Sequence, residues 1–455
     1  MNFIRKTCSG HLPYTRRHFL FGAASASAAS ASLLSAHTDA EVGVRRNAAI
    51  RNTARTCIFI NLNGAASQLD TFDPKDAAWN PRDADIRDYS GGLRLSRRYF
   101  PRLSALTNDL LVLRSCSSWE AAHERGQFYM QTAHSQNPAL AAEIPHIGAV
   151  IARERGATGL IPPFLSFNQS NIQGATFLGG LFMPMMPPAS TNGVGTLTHN
   201  YFGNAAQSQT RFEQRFSLLK ELDSALREVP ANEAMAAYGA YYDRAKAMMY
   251  NSAVDSVFKF PVDDQNRYGN TSLGRALIVA RNAVRAKNGA TFVNVTQGGW
   301  DTHVGQFDAG QPANIYTLTN ELDKAVGNLV DDLKASGDFD STLIVMMGEF
   351  GRTPGVLNSR AGRDHYRDVM SVAMLGGGVK GGRAIGASDA NGARITDFGW
   401  SRQRPIYVED ITATIYSALG IDWTKSIDDT PSKRRYYYVP GTTEGTYQPV
   451  EEVFG

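Results

Sequence analysis

The sequence predicts an α/β fold, a doubly wound, mostly parallel sheet with helices on both faces. Short apolar runs recur along the chain, and each ends at a glycine or a polar residue, which is typical of strands covered on both faces. An amphipathic helix stands between two of these runs, and the repeated order of strand, helix and strand indicates a doubly wound domain. Hydrophobic residues make up 43% and charged residues 20% of the 455 residues, which provides ample material for a core.

Five apolar runs are the predicted strands, at residues 56–64, 109–116, 290–296, 341–348 and 369–378. A helix is predicted after the second strand, beginning near His123. Another is predicted over residues 316–333, because Leu318, Leu322, Ala325, Leu329 and Leu333 recur on one helical face.

The segment 155–288 interrupts this order. It contains the Pro-, Met- and Gly-rich stretch LFMPMMPPASTNGVG, and helical patterns such as RFSLLKELDSALREV follow. We interpret residues 155–288 as a largely helical insertion or cap over one edge of the sheet, within a domain of residues 55–455. The methionines either line a binding surface or pack on the core.

The first forty residues are similar to a twin-arginine export signal, which delivers proteins that have already folded. Arg16 and Arg17 precede Phe19 and Leu20, and a mildly apolar stretch rich in Ala and Ser follows. We therefore expect the twin-arginine export machinery as a partner, cleavage within residues 31–40 and a periplasmic or cell-surface location. A disordered basic tail is the alternative.

Charge and composition exclude other classes of protein. Residues 1–40 contain four of the 46 basic residues and one of the 43 acidic residues, so the remainder is close to neutral and indicates no nucleic-acid partner. No later run of about 20 apolar residues indicates a transmembrane segment in the mature chain. Cys57 and Cys116 lie in apolar runs and are expected to be buried thiols, with a disulfide as the alternative.

Carboxylate and imidazole groups follow the predicted strands, at the edge where open α/β sheets bind ligands. They are Asp70 after the first strand, His123 and Glu124 after the second, Asp301 and His303 after the third, Glu349 after the fourth, and then Asp364 and His365. This mixture of ligand types suits Zn, Mn or Fe, and two ions could polarise a phosphoryl or sulfuryl group. Three structural alternatives stay open: Asp70 binds loop amides, Glu349 pairs with Arg352, and His123 starts a helix.

Several motifs resemble known families. NGAASQLDTFDPK, GGWDTH, GEFGRTPG, GRDHY and GASDANGA, in this order, resemble the bacterial family catalogued as domain of unknown function 1501, which is described as sulfatase-like. GGWDTH and the helix containing LDKAVGNLVDDL are also similar to the alkaline phosphatase superfamily. The resemblance covers nearly the whole mature chain. It implies an alkaline phosphatase-like α/β/α sandwich and a divalent metal, zinc, bound as one or two ions.

The resemblance also implies metal-binding roles, for Asp70, Asp301, His303, Glu349, Asp364 and His365. Asp301 and His303 are closer together than the phosphatase pattern D-x-x-x-H requires. Glu349 replaces the usual Asp, and Phe350 stands where the family pattern has a His or Asn ligand.

The nucleophile is the largest departure from the family pattern. HERGQFYMQTAHSQNP resembles the sulfatase helix that begins with the nucleophile, and here His123 and Glu124 occupy that neighbourhood as candidate catalytic residues. The formylglycine motif C-x-P-S-R is absent, since Cys116 is followed by SSW, which argues against a formylglycine sulfatase. Ser117 and Ser118 are the fallback nucleophiles.

These observations favour an exported metal-dependent hydrolase that acts on a phosphate or sulfate ester of a small molecule or a glycan. Arg352, as a catalytic residue, or Arg363 would contact the anionic group. A metal-bound hydroxide would attack, because a metal brings the pKa of its water towards neutrality. The alternative is a catalytically degenerate periplasmic or surface binding protein on the same scaffold, and isomerase or mutase chemistry is a third possibility.

Overall fold

Seven strands form the central sheet of the computed structural model, which describes residues 49–187, 189–190, 193–194, 205–224 and 233–455. They are β1 (Thr56–Leu62), β2 (Leu111–Cys116), β3 (Phe164–Phe167), β4 (Phe292–Gln297), β5 (Thr342–Met347), β6 (Met370–Leu375) and β7 (Arg383–Ile385). Their order across the sheet is β7-β2-β6-β5-β1-β4-β3. Neighbouring strands are parallel except where β6 pairs with β2 and β5.

Helices cover both faces of this sheet. The described α-helices are α1 (Pro101–Ala105), α2 (His123–Thr132), α3 (Ile147–Arg155), α4 (Ala205–Leu222), α5 (Glu233–Met248), α6 (Ser252–Phe258), α7 (Val262–Tyr268), α8 (Ser272–Ala286), α9 (Ile315–Ser336) and α10 (Val408–Ala418). Residues of α1, α8 and α9 share one hydrophobic core with the sheet, and residues of α2, α3 and α10 share the other. The predicted α/β sandwich is therefore confirmed.

Shorter elements connect these layers. Two-stranded ribbons pair Ile86–Asp88 with Arg94–Ser96, Ala189–Ser190 with Gly193–Val194, Gly351–Arg352 with His365–Tyr366, Ala387–Ser388 with Ile395–Asp397, and Ser426–Ile427 with Tyr436–Tyr437. Single 3₁₀ turns span Gln68–Asp70, Ser90–Gly92, Ala141–Glu143, Thr176–Leu178, Gly180–Phe182, Phe339–Ser341 and Glu451–Val453.

Strand β1 illustrates why continuous apolar runs form the centre of the sheet. All seven of its residues are buried, and they alternate between the two cores because successive side chains of a strand point to opposite faces. Ile58 and Ile60 enter one core, whereas Cys57 and Phe59 enter the other. Cys57 and Cys116 are buried free thiols, as expected, and burial raises the pKa of both.

The direction of β6 determines which loops meet. The parallel strands β1, β2, β4 and β5 bring their carboxyl ends to one edge of the sheet. Because β6 is antiparallel to β5, its amino end lies at that same edge. The residues that precede β6, including Asp364 and His365, therefore join the loops that follow the other strands.

Segment 155–288 is more closely joined to the sheet than an appended cap would be. It provides the edge strand β3, which pairs with β4, and the amphipathic helix α8, which contributes Leu277 and Ile278 to the core. Helices α4 to α7 form most of the rest of its described part. The predicted signal, residues 1–40, lies outside the described residues. No helix in the described ranges has the length and apolar character needed to cross a membrane.

Candidate functional site

Four side chains converge at the edge of the sheet: His123, Asp301, His303 and His365, here called the donor group. Each offers one ligand atom, and these atoms all lie within 4.8 Å of one another. Asp301 Oδ1 lies 3.1 Å from His123 Nε2, 3.0 Å from His303 Nε2 and 3.7 Å from His365 Nε2. The Nε2 atoms of His303 and His365 are 3.0 Å apart. Three imidazoles and one carboxylate thus face a common point.

Close backbone contacts position Asp301 and His303 in the loop after β4. Gly64 has a φ of +99°, and a Cβ on this residue would lie 2.4 Å from the Asp301 amide nitrogen. A Cβ on Gly362 would lie 2.1 Å from the carbonyl carbon of His303. Only glycine allows such approaches, so the glycines of NLNG and AGRDHY bring their loops against GGWDTH.

The other two histidines come from a ribbon and a helix. His365 pairs with Arg352 in the antiparallel ribbon between Gly351–Arg352 and His365–Tyr366, and His123 is the first residue of α2. A Cβ on Gly126, one turn into α2, would lie 3.0 Å from Glu349 Cβ. Helix α2 therefore packs directly against the residue that follows β5.

Each imidazole of the donor group has an outer hydrogen-bond partner at Nδ1. The pairs are His303 with Asp364 Oδ1 at 2.6 Å, His365 with the Ala121 carbonyl oxygen at 2.7 Å, and His123 with Glu349 Oε1 at 2.8 Å. Because carboxylate and carbonyl oxygens accept hydrogen bonds, they hold the proton on Nδ1 and leave the Nε2 lone pair directed inwards. This is the arrangement that orients histidines in metal sites.

Glu349 lies behind the donor group and is not one of its members. Its side chain is fully buried, and its carboxylate accepts hydrogen bonds from the amides of Gly64 at 3.1 Å and Ala65 at 3.2 Å besides that of His123. The hydrogen bond to Glu349 raises the pKa of His123, partial burial opposes the rise, and the charge of Asp301 adds to it. Glu349 therefore orients His123.

The pKa of His365 moves the other way. It is lowered first by burial, and the positive charges of Arg352 and the two other histidines lower it further. The hydrogen bond to the Ala121 carbonyl opposes this shift. The neutral imidazole is the form that binds metals.

Arg352 is fully buried and holds the carboxylate of Asp301. Its guanidinium donates to Asp301 Oδ1 at 2.5 Å, to the carbonyl oxygens of Ala65 and Arg363 at 3.0 Å each, and to that of Gly64. Partial burial would raise the pKa of Asp301, but the hydrogen bond and charge of Arg352 lower it overall. These contacts position Asp301, and Arg352 Nη1 also lies 3.4 Å from His303 Nε2; contact of Arg352 with the substrate stays a prediction.

Asp70 and Arg363 pair with each other beneath these loops. Asp70 accepts from Arg363 Nε at 2.6 Å and Nη2 at 3.3 Å, and from Gln306 Nε2 at 2.9 Å. Both side chains are fully buried, and Arg363 also donates to two backbone carbonyl oxygens. Asp70 is thus outside the donor group, and Arg363 has no exposed donor for an anionic ligand. The sequence predicted a metal-binding role for Asp70 and contact with the anionic group for Arg363, whereas here the two side chains engage each other.

The remaining predicted residues lie around the donor group. Asp364 contacts His303, and this hydrogen bond lowers the pKa of Asp364. Glu124 is exposed in the first turn of α2, where its negative charge interacts favourably with the helix dipole. Ser117 Oγ donates to the Asp368 carbonyl oxygen at 2.7 Å, and Ser118 Oγ accepts from an amide at 3.2 Å. Neither buried serine is presented as a nucleophile.

Phe350 occupies the position where the family pattern has a ligand, and it supports two histidines. The centroid of its buried ring lies 5.1 Å from the ring centroid of His123 and 4.8 Å from that of His365.

The sequence predicted a catalytic role for His123 and gave no indication of Gln306. Both residues follow predicted strands, and that position was the sequence signal that could have assigned them to the site. Their hydrogen-bond partners could not be predicted, because these partners come from loops far away in the chain.

The family model described as "Protein of unknown function (DUF1501)" matches residues 54–435. No curated protein matches the sequence.

Solved structures with similar folds include members of several enzyme classes. A protein of the alkaline phosphatase superfamily from Vibrio parahaemolyticus has 10% identity and a TM-score of 0.38, over 82% of this chain and 68% of that chain. The PsFucS1 sulfatase from Pseudoalteromonas sp. has 11% identity and a TM-score of 0.36, over 88% and 72%. Alkaline phosphatase from the Antarctic bacterium TAB5 has 14% identity and a TM-score of 0.36, over 81% and 98%.

Proposed function

From the premise that the chain belongs to the DUF1501 family, we propose that it is a divalent-metal-dependent hydrolase of phosphate or sulfate esters. One observation carries this proposal: three imidazoles, each held from outside at Nδ1, direct Nε2 towards Asp301 Oδ1. These four atoms form a donor set for a cation, and Arg352, which donates to Asp301 Oδ1 and lies 3.4 Å from His303 Nε2, already places one positive charge beside it.

The residues fit a single ion of the zinc type. Imidazole nitrogens with one carboxylate oxygen are a donor set that zinc accepts. A tetrahedral site with bonds of about 2.0–2.2 Å separates its ligand atoms by roughly 3.3–3.6 Å. The separations of 3.0, 3.1 and 3.7 Å from Asp301 Oδ1 bracket that range. Arg352 already places a positive charge against Asp301, which favours one ion over two.

A bound divalent ion would supply Lewis acidity, which lowers the pKa of water and stabilises charge on an ester oxygen. The protein's own residues orient the site. Glu349 and Asp364 fix the tautomers of His123 and His303, and Arg352 keeps Asp301 ionised. Since the hydroxyls of Ser117 and Ser118 are engaged elsewhere, water is the proposed nucleophile. The resemblance of GGWDTH and GRDHY to sulfatase-like sequences supports an anionic ester as the substrate.

Metal content and turnover test this proposal together. The full chain, exported and folded in its native host, should contain about one equivalent of divalent metal per chain by mass spectrometry. It should release phosphate or sulfate from simple monoesters such as methyl phosphate and methyl sulfate. His303→Ala should lose both properties. His134→Ala is the matched control, because His134 stacks on Tyr436 outside the donor group. Tight binding of metal without turnover of any ester, or turnover by His303→Ala, would contradict the proposal.

A second candidate function is a metal-free binding protein on this scaffold. The contact that favours it is the hydrogen bond from Arg352 to Asp301 Oδ1 at 2.5 Å, because a guanidinium can satisfy the carboxylate without an ion. A protein of this kind would contain no metal when purified from its host, and a chelator would leave its ligand affinity unchanged.

The location that fits this function is outside the cytoplasm. Arg16 and Arg17 before the apolar stretch of residues 18–36 support export by the twin-arginine pathway. Substituting both arginines with lysine should leave the protein in the cytoplasm at its full length. Normal processing and export of this variant would refute the assignment.

A further inference from the structure

An exposed tryptophan stands beside the donor group. Trp119 is 45% exposed, whereas Trp300, Trp400 and Trp423 are buried. A single exposed apolar residue is ordinary in a protein surface, but this one is held rigidly. Its ring stacks on Tyr407 with centroids 4.4 Å apart and planes 3° from parallel, and its Nε1–H donates to Tyr447 Oη at 3.1 Å.

These contacts leave one flat face of the indole open. Tyr407 covers the opposite face, and the hydrogen bond to Tyr447 fixes the orientation of the ring within its plane. The tyrosines are themselves fixed by Arg404, whose guanidinium carbon lies 5.7 Å from the Tyr407 ring centroid and 5.2 Å from that of Tyr447. The exposed area of Trp119 therefore belongs to a pre-formed surface, which loses little conformational entropy when a ligand binds.

The loop that carries Trp119 runs beside His365. The Ser118 amide donates to the Arg367 carbonyl oxygen at 2.9 Å, and Arg367 Nη1 donates to the Trp119 carbonyl oxygen at 3.3 Å. Two residues further on, the Ala121 carbonyl accepts from His365 Nδ1. Two residues of extended chain span at most about 7 Å, so the backbone of Trp119 lies within that distance of Ala121, whose carbonyl oxygen holds His365.

Charged side chains belong to the segments next to Trp119, and Arg367 donates to its carbonyl oxygen. Arg367 and Asp368 are 57% and 65% exposed, and Glu120 pairs with the exposed Arg125 at 2.8 Å. A sugar ring matches both features, because its C–H face is apolar and its hydroxyl rim both donates and accepts hydrogen bonds. A sugar hydroxyl can also carry the ester directly, which places the ring next to the reacting group.

We propose that Trp119 is the stacking platform for the sugar ring of a phosphorylated or sulfated saccharide. The assignment of the esterified hydroxyl to the donor group rests on the proposed function. The stacking itself is a binding event that can be measured without turnover.

Tryptophan fluorescence provides the test. The full chain loaded with Zn²⁺ is titrated with phosphate and sulfate monoesters of galactose, glucose, fucose and N-acetylglucosamine, and with AMP as an aromatic comparator. At least one sugar ester should change the emission saturably, because Trp119 is the most exposed indole. Trp119→Phe should remove this signal, and Trp79→Phe, which alters a tryptophan elsewhere, should keep it.

Calorimetric titration separates stacking from the optical signal. Trp119→Ala should weaken the sugar ester about tenfold, the loss expected for one aromatic contact, and Trp119→Phe should weaken it roughly two- to threefold. Trp119→Ala should lower the melting temperature by no more than about a few degrees, since it loses the stacking on Tyr407 and the hydrogen bond to Tyr447, and Trp119→Phe should lower it by less. Absence of sugar-ester binding, unchanged affinity in Trp119→Ala, or a larger loss for AMP than for the sugar ester would each overturn the sugar assignment.

Failure of this inference and failure of the proposed function give different results. If methyl phosphate or methyl sulfate is hydrolysed but no sugar ester depends on Trp119, the platform is refuted and the hydrolase stands. If sugar esters bind through Trp119 but no ester is hydrolysed, the hydrolase is refuted and the platform stands.

Discussion

Asp301 and Asp70 are two carboxylates at the same edge of the sheet with opposite surroundings. Both follow central strands, and each contacts a fully buried arginine, Arg352 or Arg363. The partners of Asp70 all donate hydrogens, and its side chain is fully buried. The side chain of Asp301 is 45% exposed, and three Nε2 atoms face it.

The protonation of the neighbours, more than the position of the acid, therefore distinguishes a metal ligand from a structural ion pair. Around Asp70 every acceptor has a donor, so nothing further is required. Around Asp301 the outer contacts hold protons on Nδ1, so three Nε2 acceptors lie close to a carboxylate that Arg352 compensates only in part. A cation resolves this conflict.

The largest expected effect is a loss of stability on removal of Asp70. Asp70→Ala leaves the guanidinium of Arg363 buried without its carboxylate, which should lower the free energy of unfolding by about 3–5 kcal/mol. Urea denaturation measures the change. The folded fraction should still bind metal. The double variant Asp70→Ala/Arg363→Met should recover part of the loss, and no recovery would mean that the ion pair is not the cause.

Removal of the charge on Asp301 should have the opposite effects, a large loss of metal affinity and a small loss of stability. Asp301→Asn should lower metal affinity by more than the roughly 100-fold that bounds changes to outer partners. Stability should fall by no more than about 1.5 kcal/mol, because Arg352 keeps its carbonyl acceptors. Competition with a chromogenic chelator measures the affinity. Asp308→Asn, an exposed acid in the same loop, is the control and should bind metal normally. Equal losses in the two variants would remove the distinction between Asp301 and its neighbours.

The fold was predictable from the sequence because its strands are buried on both faces. The runs at 56–64, 109–116, 341–348 and 369–378 each contain a strand of the sheet, the run at 290–296 overlaps β4, which ends one residue later, and helix α9 covers the predicted residues 316–333. The strand β3 was missed, because four residues within a Pro- and Gly-rich stretch carry too little pattern. The antiparallel direction of β6 has no local signal, since it depends on pairing with β2 and β5.

The site was predictable as a region and less so as a set of contacts. Asp301, His303 and His365 were named as ligands and belong to the donor group. Asp70 and Glu349 were named as well, but Arg363 and the amides of Gly64 and Ala65 engage them. Those partners are more than 280 residues away in sequence. Tertiary contacts therefore decide which carboxylate oxygens accept hydrogen bonds from the protein.

Glu409 extends the comparison to an acid without an arginine pair. It is buried in α10, and its carboxylate accepts a hydrogen bond from Tyr129. Burial raises its pKa from 4.5 to about 8, the charge of Asp410 adds to this, and Tyr129 and Arg404 oppose it. The folded state thus binds the proton more tightly than the unfolded chain. Its contribution to stability is full below pH 4.5 and is lost as the pH rises towards about 8.

Glu409→Gln should remove this dependence, because the amide has no proton to lose. Relative to wild type, the variant should gain up to roughly 4 kcal/mol in the free energy of unfolding between about pH 5 and pH 9. Chemical denaturation at both pH values measures it. Glu213→Gln, at an exposed position of α4, is the control. A parallel pH dependence in wild type and Glu409→Gln would exclude Glu409 as the titrating group.

The smallest expected effect tests the outer partner of a ligand. Asp364 does not belong to the donor group, yet its Oδ1 accepts from His303 Nδ1 at 2.6 Å. Asp364→Ala should weaken metal binding about tenfold, and Asp364→Asn by less, because an amide oxygen still accepts the hydrogen bond. The chelator competition used for Asp301→Asn measures both. Glu124→Ala, an exposed acid of α2, should have no effect. If Asp364→Ala lost as much metal affinity as Asp301→Asn, Asp364 would itself be a metal ligand and not an outer partner of His303.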